Sequence, residues 1–265
     1  TCVLVLFRQP QAKLPILAMK DVALISTRPV RKEISPTFYE KNNVTFLPCP
    51  LTEILSLKEY EEFDLILQNL SSYHHLIFIS TNAVDFFVAR MNFYHITLPS
   101  SLIISCIGPS TKKLLQENFN TPVFYPRESF DSEHLLKSDI FSDIKNQKIL
   151  IIRGIGGRET LRKGLEKKGG LITYGECYTR KYLQIDLEEV RKSTYEFNRI
   201  FMLITSYESA KKFMQHNITD HLGWLKSIHV IVNHIRLKNE LNIFSNITIT
   251  EDLSNDSILR ILKKN

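Results

Sequence analysis

The chain is poor in cysteine and has no metal-binding spacing. Cys2, Cys49, Cys106 and Cys177 are its only cysteines, and they are far apart in 265 residues. There is no CxxC pair, so the common zinc and dithiol motifs are excluded. A reducing compartment is then the simplest reading, and a cytoplasmic protein is expected. The eight histidines form no HExxH pattern. His74 and His75 are adjacent, and neighbours on a strand face opposite sides. No apolar run is long enough to span a bilayer. The stretch TCVLVLFRQPQAKLPILAM is broken by Arg8, Pro10 and Pro15 and has the wrong order for a signal peptide. Residues 1–19 are expected to be an N-terminal extension of unknown role, with Met19-Lys20 near the natural start. Dense Lys/Arg runs interleaved with aromatics are also missing, which argues against nucleic acid. The net charge of +6 still suits an anionic partner.

One segment carries more chemistry than the rest. Residues 148–181 read KILIIRGIGGRETLRKGLEKKGGLITYGECYTRK. Ile149 to Ile152 form a short buried strand. Arg153, Gly154, Gly156 and Gly157 make a turn of bare backbone. Arg158 to Lys168 has helical spacing, and Gly169-Gly170 stops it. A second strand begins at Leu171–Tyr174 and runs on to Tyr178. A strand, a glycine-rich turn and a helix N-terminus make an anion site, because free N–H groups and the helix dipole favour negative charge. Arg153 and Arg158 add cationic side chains, so a ligand bearing carboxylates or phosphates is expected.

Strands and helices alternate along the whole chain. Strands are expected at 22–26, 44–47, 76–79, 103–107 and 123–125, with helices at 31–41, 58–71, 83–91, 111–118 and 131–138. Residues 51–57 read as extended. The order then restarts. Residues 149–152 repeat the role of 22–26, 200–204 that of 76–79, 229–232 that of 103–107, 247–250 that of 123–125 and 255–262 that of 131–138. Arg153 echoes Arg28, and Thr205-Ser206 echoes Ser80-Thr81. The pattern predicts an α/β fold of two similar domains, each a parallel sheet flanked by helices. Ligands of such sheets bind at the carboxyl ends of strands. The turns at Arg28, Ser80-Thr81-Asn82, Gly108-Pro109-Ser110-Thr111, Arg153-Gly154 and Thr205-Ser206 all fall there. Two such edges facing each other would form a donor-rich cleft suited to a polycarboxylate.

These turns, in this order, resemble the uroporphyrinogen-III synthase family over about residues 20–265. STRP (26–29) resembles its opening turn, FISTNAVDFF (78–87) its first serine turn and IGPST (107–111) its Gly/Thr turn. RGIGGRETLRKGLEKKG (153–169), CYTRK (177–181) and ITSYESAKKF (204–213) follow in the family's order. The resemblance implies two domains joined by a two-stranded linker, with the active site in the inter-domain cleft. One domain would comprise 20–52 with 178–265 and the other 53–177, the chain crossing at LPCPLTEI and YGECYTRK. Sequence periodicity alone would cut near residue 148. The implied substrate is hydroxymethylbilane, a linear tetrapyrrole with eight carboxylates. Loss of its terminal hydroxyl as water gives an azafulvene cation, and closure through a spiro intermediate inverts the last ring to give uroporphyrinogen III. The resemblance implies a hydro-lyase with no metal or organic cofactor, a monomer, and transient hand-over from hydroxymethylbilane synthase.

Tyr178 matches the family's tyrosine, and the resemblance implies that its phenol protonates the departing hydroxyl. The plainer reading is a linker tyrosine with one packed face. Arg28 and Arg153 either hold carboxylates or bond turn carbonyls. Arg158, placed in a first helical turn, opposes the helix dipole, a misfit that points to a ligand role, with a solvated position as the equal alternative. Ser80, Thr81, Asn82, Gly108, Ser110, Thr111, Gly154, Gly156, Thr205 and Ser206 are expected to offer turn N–H groups to substrate acids. Helix capping alone also explains the hydroxyl and amide side chains among them. The family's second Gly/Thr turn is missing. IVNHIRLKN (231–239) stands in its place, with Asn233 for the glycine and His234 or Arg236 as substitute carboxylate partners. Two other classes compete. A dinucleotide oxidoreductase would need a third glycine where Glu159 stands. A non-enzymatic binding protein for polyanionic solutes would need the turns but not Tyr178.

Overall fold

A computed structural model describes residues 20–29, 36–215, 218–250 and 252–264. The expected extension 1–19 lies outside the described residues, as does the first half of the helix expected at 31–41. The first part of the chain runs β1 (Lys20–Ser26), α1 (Pro36–Glu40), β2 (Val44–Pro48), β3 (Thr52–Ser56), α2 (Glu61–Gln68), β4 (His75–Phe78) and α3 (Thr81–Phe93). Next come β5 (Ile103–Cys106), α4 (Pro109–Asn118), β6 (Val123–Phe124), α5 (Ser132–Leu135), β7 (Lys148–Gly154), α6 (Thr160–Lys167) and β8 (Leu171–Tyr182). The last part runs α7 (Leu187–Ser193), β9 (Phe197–Leu203), α8 (Tyr207–Met214), α9 (Leu222–Ser227), β10 (His229–Val232), α10 (Ile235–Glu240), β11 (Asn246–Ile249) and α11 (Asn255–Lys264).

The chain forms two compact units, 1–49 with 184–265 and 50–183. The sheet of the first has the order β2-β1-β9-β10-β11, and that of the second β3-β8-β7-β4-β5-β6. Apart from β3, the two orders correspond strand for strand: β2 to β8, β1 to β7, β9 to β4, β10 to β5 and β11 to β6. The last four are pairs that the repeated pattern predicts; the correspondence of β2 with β8 is added by the strand orders. All described pairings are parallel except β3 with β8, which is antiparallel from Thr52↔Tyr182 to Ser56↔Tyr178. The resemblance set the crossings at 52/53 and 177/178, whereas the compact units divide at 49/50 and 183/184. The β3–β8 ladder accounts for the difference, because it ties both strands to the middle sheet.

The strand sequences are continuous apolar runs because both faces are covered. In the middle unit Leu76, Phe78, Leu150 and Ile152 pack with Phe63 and Phe87 on one face. Ile77, Ile149 and Ile151 pack with Phe141 and Leu165 on the other. In the unit made from both chain ends, Val22 and Leu24 pack with Tyr39, Phe201, Leu203 and Leu262. The helices meet these faces with apolar stripes; α11 buries Ile258, Leu259 and Leu262 and ends on Lys263 and Lys264.

One irregularity positions a candidate site residue. Arg153 of β7 pairs with Glu176, but Gly154 pairs with Tyr178, so β8 carries an extra residue at this point. Strict alternation would put Tyr178 on the same face as Ile172 and Tyr174, which pack against the Phe141 cluster. The bulge turns Tyr178 to the other face, beside Cys177 in the Phe87 cluster.

Candidate functional site

In the middle unit the carboxyl ends of β4 and β7 converge on β8 at Tyr178. The tyrosine is 0% exposed. Its ring stacks on Phe86 at 5.4 Å, and the Arg180 guanidinium lies 4.9 Å from the ring centroid. Its phenol oxygen lies 2.8 Å from Arg180 Nη2 and 3.2 Å from Ser80 Oγ. Ser80 is the N-cap of α3, and its Oγ accepts the Ala83 N–H at 3.2 Å. Gly154 leaves room for the ring: a Cβ there would meet Tyr178 Cε2 at 2.5 Å. Cys177 is buried beside it, with Sγ 3.5 Å from the Arg153 carbonyl oxygen. Burial pushes this thiol up to about 12, so it stays neutral.

The glycine-rich turn holds its own anions. Arg153 is almost fully buried; it donates to Glu159 Oε1 at 3.2 Å and to the Gly156 carbonyl, and it lies over the Tyr174 ring at 4.3 Å. The Tyr174 hydroxyl donates to Glu159 Oε2 at 2.7 Å. Bonds from Tyr174 and then Arg153 hold the Glu159 carboxyl below its ordinary range, against burial. Burial and the same bond push the Tyr174 phenol up to about 12. The Gly156 N–H donates to Glu176 Oε1 at 3.3 Å. Gly156 and Gly157 have φ of +74° and +107°, which L side chains rarely adopt. This left-handed pair delays the helix, so α6 begins at Thr160 rather than at Arg158. Arg158 therefore precedes the helix, exposed and paired with Glu133 at 3.3 Å.

The remaining candidates sit at strand ends, as expected. Thr81 and Asn82 open α3 behind Ser80. Gly108 is the N-cap of α4, with Pro109 in its first position; Ser110 is exposed and Thr111 buried in the same turn. Arg28 is half-buried in the turn after β1, next to Thr27, whose N–H and hydroxyl both donate to the Leu203 carbonyl. Thr205 follows β9, and Ser206 caps α8 by accepting the Ser209 N–H. Arg28, Thr205 and Ser206 belong to the unit built from both chain ends, and the other candidates to the middle unit.

A sequence profile of the family described as Uroporphyrinogen-III synthase HemD matches residues 32–257. The chain belongs to the uroporphyrinogen-III synthase family. A uroporphyrinogen-III synthase of Proteus mirabilis is 33% identical over 141 residues, covering 53% of this chain and 71% of that protein. One from Escherichia coli K12 is 26% identical over 194 residues, covering 71% and 78%. Among solved structures, a mutant uroporphyrinogen III synthase of Thermus thermophilus superposes with a TM-score of 0.62 at 14% identity, covering 92% of this chain and 100% of that one. The enzyme of Helicobacter pylori 26695 gives 0.56 at 17%, covering 92% and 99%. At these identities the structures speak for the shared two-domain α/β fold.

Two residues change the expected picture of this family member. Arg180 was not expected at the site, yet it lies two positions from Tyr178 on β8, and residues two apart on a strand share a face. That spacing is the sequence signal that would have found it. At the missing Gly/Thr turn, the position equivalent to the Gly108 cap is held by His234, not by Asn233. His234 caps α10, its Nδ1 accepting the Arg236 N–H at 3.1 Å and Arg236 Nε at 3.4 Å. Asn233 Oδ1 is buried without a hydrogen-bond partner among the described residues. Among the described residues, no group of three His, Cys, Asp or Glu side chains is placed to hold a metal, and no helix is long and apolar enough to cross a membrane.

Proposed function

We propose that this chain acts in tetrapyrrole biosynthesis as a uroporphyrinogen-III synthase, converting hydroxymethylbilane to uroporphyrinogen III with loss of water and inversion of the last ring. The observation that carries the reading, beyond membership of the family, is the Tyr178 hydroxyl held between Ser80 and Arg180. Water leaves carbon far more readily than hydroxide does, and Tyr178 is the proton source for that departure. The adjacent pyrrole nitrogen stabilises the resulting cation, which closes on the last ring. The enzyme is then a hydro-lyase, acting as a monomer in the cytoplasm on substrate received from hydroxymethylbilane synthase.

The eight carboxylates of the substrate meet backbone donors and cations. The first N–H groups of a helix have no partner within it and attract anions. We assign this role to the turns at Ser80–Asn82, Gly108–Thr111 and Thr205-Ser206, with Arg28 and Arg158 as cationic partners. Arg153, engaged with Glu159 and Gly156, is assigned to the turn itself, and Gly154 to the space that Tyr178 occupies. The same Glu159 weighs against a dinucleotide, because its carboxylate at the start of α6 would repel a pyrophosphate.

The test supplies freshly made hydroxymethylbilane and separates the oxidised products. Spontaneous closure gives isomer I, so isomer III above the protein-free background is the expected result, and isomer I alone from folded protein would sink the assignment. Tyr178→Phe is expected to lower turnover by about 10²-fold or more with an unchanged unfolding midpoint. Wild-type turnover in that variant would remove Tyr178 from the mechanism.

A further inference from the structure

We propose that Ser80 is the catalytic hydroxyl that meets the substrate, and that it relays the proton of the buried Tyr178. The inference rests on the assignment of Tyr178 as proton source. A guanidinium has donors only, so the Tyr178 oxygen must accept from Arg180. The phenol proton therefore points elsewhere, and Tyr178 is 0% exposed. Among the described residues, the other polar atom bonded to it is Ser80 Oγ at 3.2 Å. A serine oxygen has two lone pairs and one proton. One lone pair takes the Ala83 N–H, and the second takes the Tyr178 proton. The serine's own hydrogen is left to point away from both. Ser80 is partly exposed at the carboxyl edge of the sheet, where ligands of parallel sheets bind.

The step balances without a co-reactant. The Ser80 O–H bond breaks as its proton joins the departing hydroxyl. The carbon–oxygen bond breaks, with its electron pair leaving on water. The Tyr178 O–H bond breaks as its proton moves to Ser80. The resulting phenolate faces the Arg180 guanidinium, which makes Arg180 a positioning residue for the charged form. The cation first adds to the substituted carbon of the last ring to give the spiro intermediate, and no proton is lost there. After fragmentation the ring recloses at its unsubstituted α carbon, which loses its hydrogen as a proton, and this proton returns through Ser80 to Tyr178.

Ser80 also caps α3, so the experiment must separate capping from relay. Asparagine caps a helix as well as serine does but has no hydroxyl to pass a proton on, whereas threonine keeps both functions. Turnover to isomer III at saturating hydroxymethylbilane is measured for Ser80→Ala, Ser80→Asn, Ser80→Thr, Tyr178→Phe and the Ser80→Asn/Tyr178→Phe pair, with unfolding midpoints alongside. The relay predicts that Ser80→Asn unfolds like the native chain yet loses turnover by about 10²-fold. It predicts that Ser80→Thr recovers most of the turnover lost in Ser80→Ala. It also predicts that the double variant is no slower than the slower single, because both groups serve one proton path. Ser80→Asn at native turnover with Tyr178→Phe still slow would overturn the relay and leave Tyr178 acting directly. Tyr178→Phe at native turnover would overturn both the relay and the assignment beneath it.

Discussion

Gly154 is the residue where adding one methyl group would be felt most. Its Cβ would sit 2.5 Å from Tyr178 Cε2 and 2.7 Å from Cζ. A ring that is 0% exposed and stacked on Phe86 has little room to retreat. Gly154→Ala is expected to cost about 1–3 kcal/mol by overpacking and to displace the phenol from Ser80 and Arg180. The denaturant midpoint and the isomer III rate should therefore fall together. An alanine variant with native stability and native rate would show that the ring moves freely. Tyr178 itself was legible in the sequence through the CYTRK resemblance. Its burial and its partners were not, because they depend on one extra residue in β8 that no local pattern announces. The cationic turn was legible as well, but not its occupancy. In the sequence Glu159 counted only as the residue standing where a third glycine would be needed, and only the fold of the loop brings Glu159 and Glu176 onto Arg153 and the Gly156 amide.

At the scale of elements, strand positions followed closely from apolar runs, and helix starts followed from Ser80, Gly108 and Ser206. The start of α6 and the facing of Tyr178 were misplaced for a related reason: helical spacing and alternation describe regular backbone, and Gly156-Gly157 and the β8 bulge depart from it. The contact of α2 with α3 shows another limit. Asp64 accepts from Arg90 Nε and Nη2 at 2.6 and 2.5 Å and from the Tyr94 hydroxyl at 2.8 Å. Arg90 also lies over the Tyr60 and Phe93 rings. Nothing in the sequence marks this pair, which joins residues 26 positions apart. Asp64→Ala is expected to cost about 2 kcal/mol in chemical unfolding. The Arg90 bond holds the Asp64 carboxyl below its ordinary range. Its contribution is therefore fully present above about pH 4 and is lost as pH falls below that. The variant should lose less stability on acidification than the native chain, and parallel acid limbs would contradict this.

Across the whole molecule, the doubled strand order is what the sequence made most visible. Each unit repeats the same chain of strands, and the apolar runs and hydroxyl turns recur with it. The two places where the chain passes from one unit to the other were less visible, because the strands at those passages pair with each other rather than ending a periodic pattern. Both units also hold a histidine that burial makes less basic. His75, bonded to Gln147 at 2.8 Å, and His229, bonded to Thr248 at 2.7 Å, are each shifted below the ordinary value of 6.5 by burial first. A lowered folded-state value means that the unfolded chain binds protons more readily as pH falls through 6.5 and below. Stability from both groups is therefore complete above that value and declines on the acid side. The urea midpoint is expected to drop between about pH 7.5 and about pH 5.5. His75→Gln and His229→Gln should each flatten that slope, and a slope unchanged in both variants would assign it to other groups.

The antiparallel ladder between Thr52 and Tyr182 has a consequence for how the chain folds. It brings the two ends of the middle unit side by side, about 5 Å apart between paired Cα atoms. Once 50–183 has folded, the remainder of the chain no longer has to close a long loose loop to bring β2 and β9 together on β1. It closes one whose ends are already joined, and the entropy of that closure is correspondingly smaller. Folding is therefore expected to run from the inside outward, which refolding rates of variants weakened in one unit at a time would check. Substitutions that weaken the middle unit should slow assembly of the outer one, whereas weakening the outer unit should leave the rate at which the middle forms unchanged.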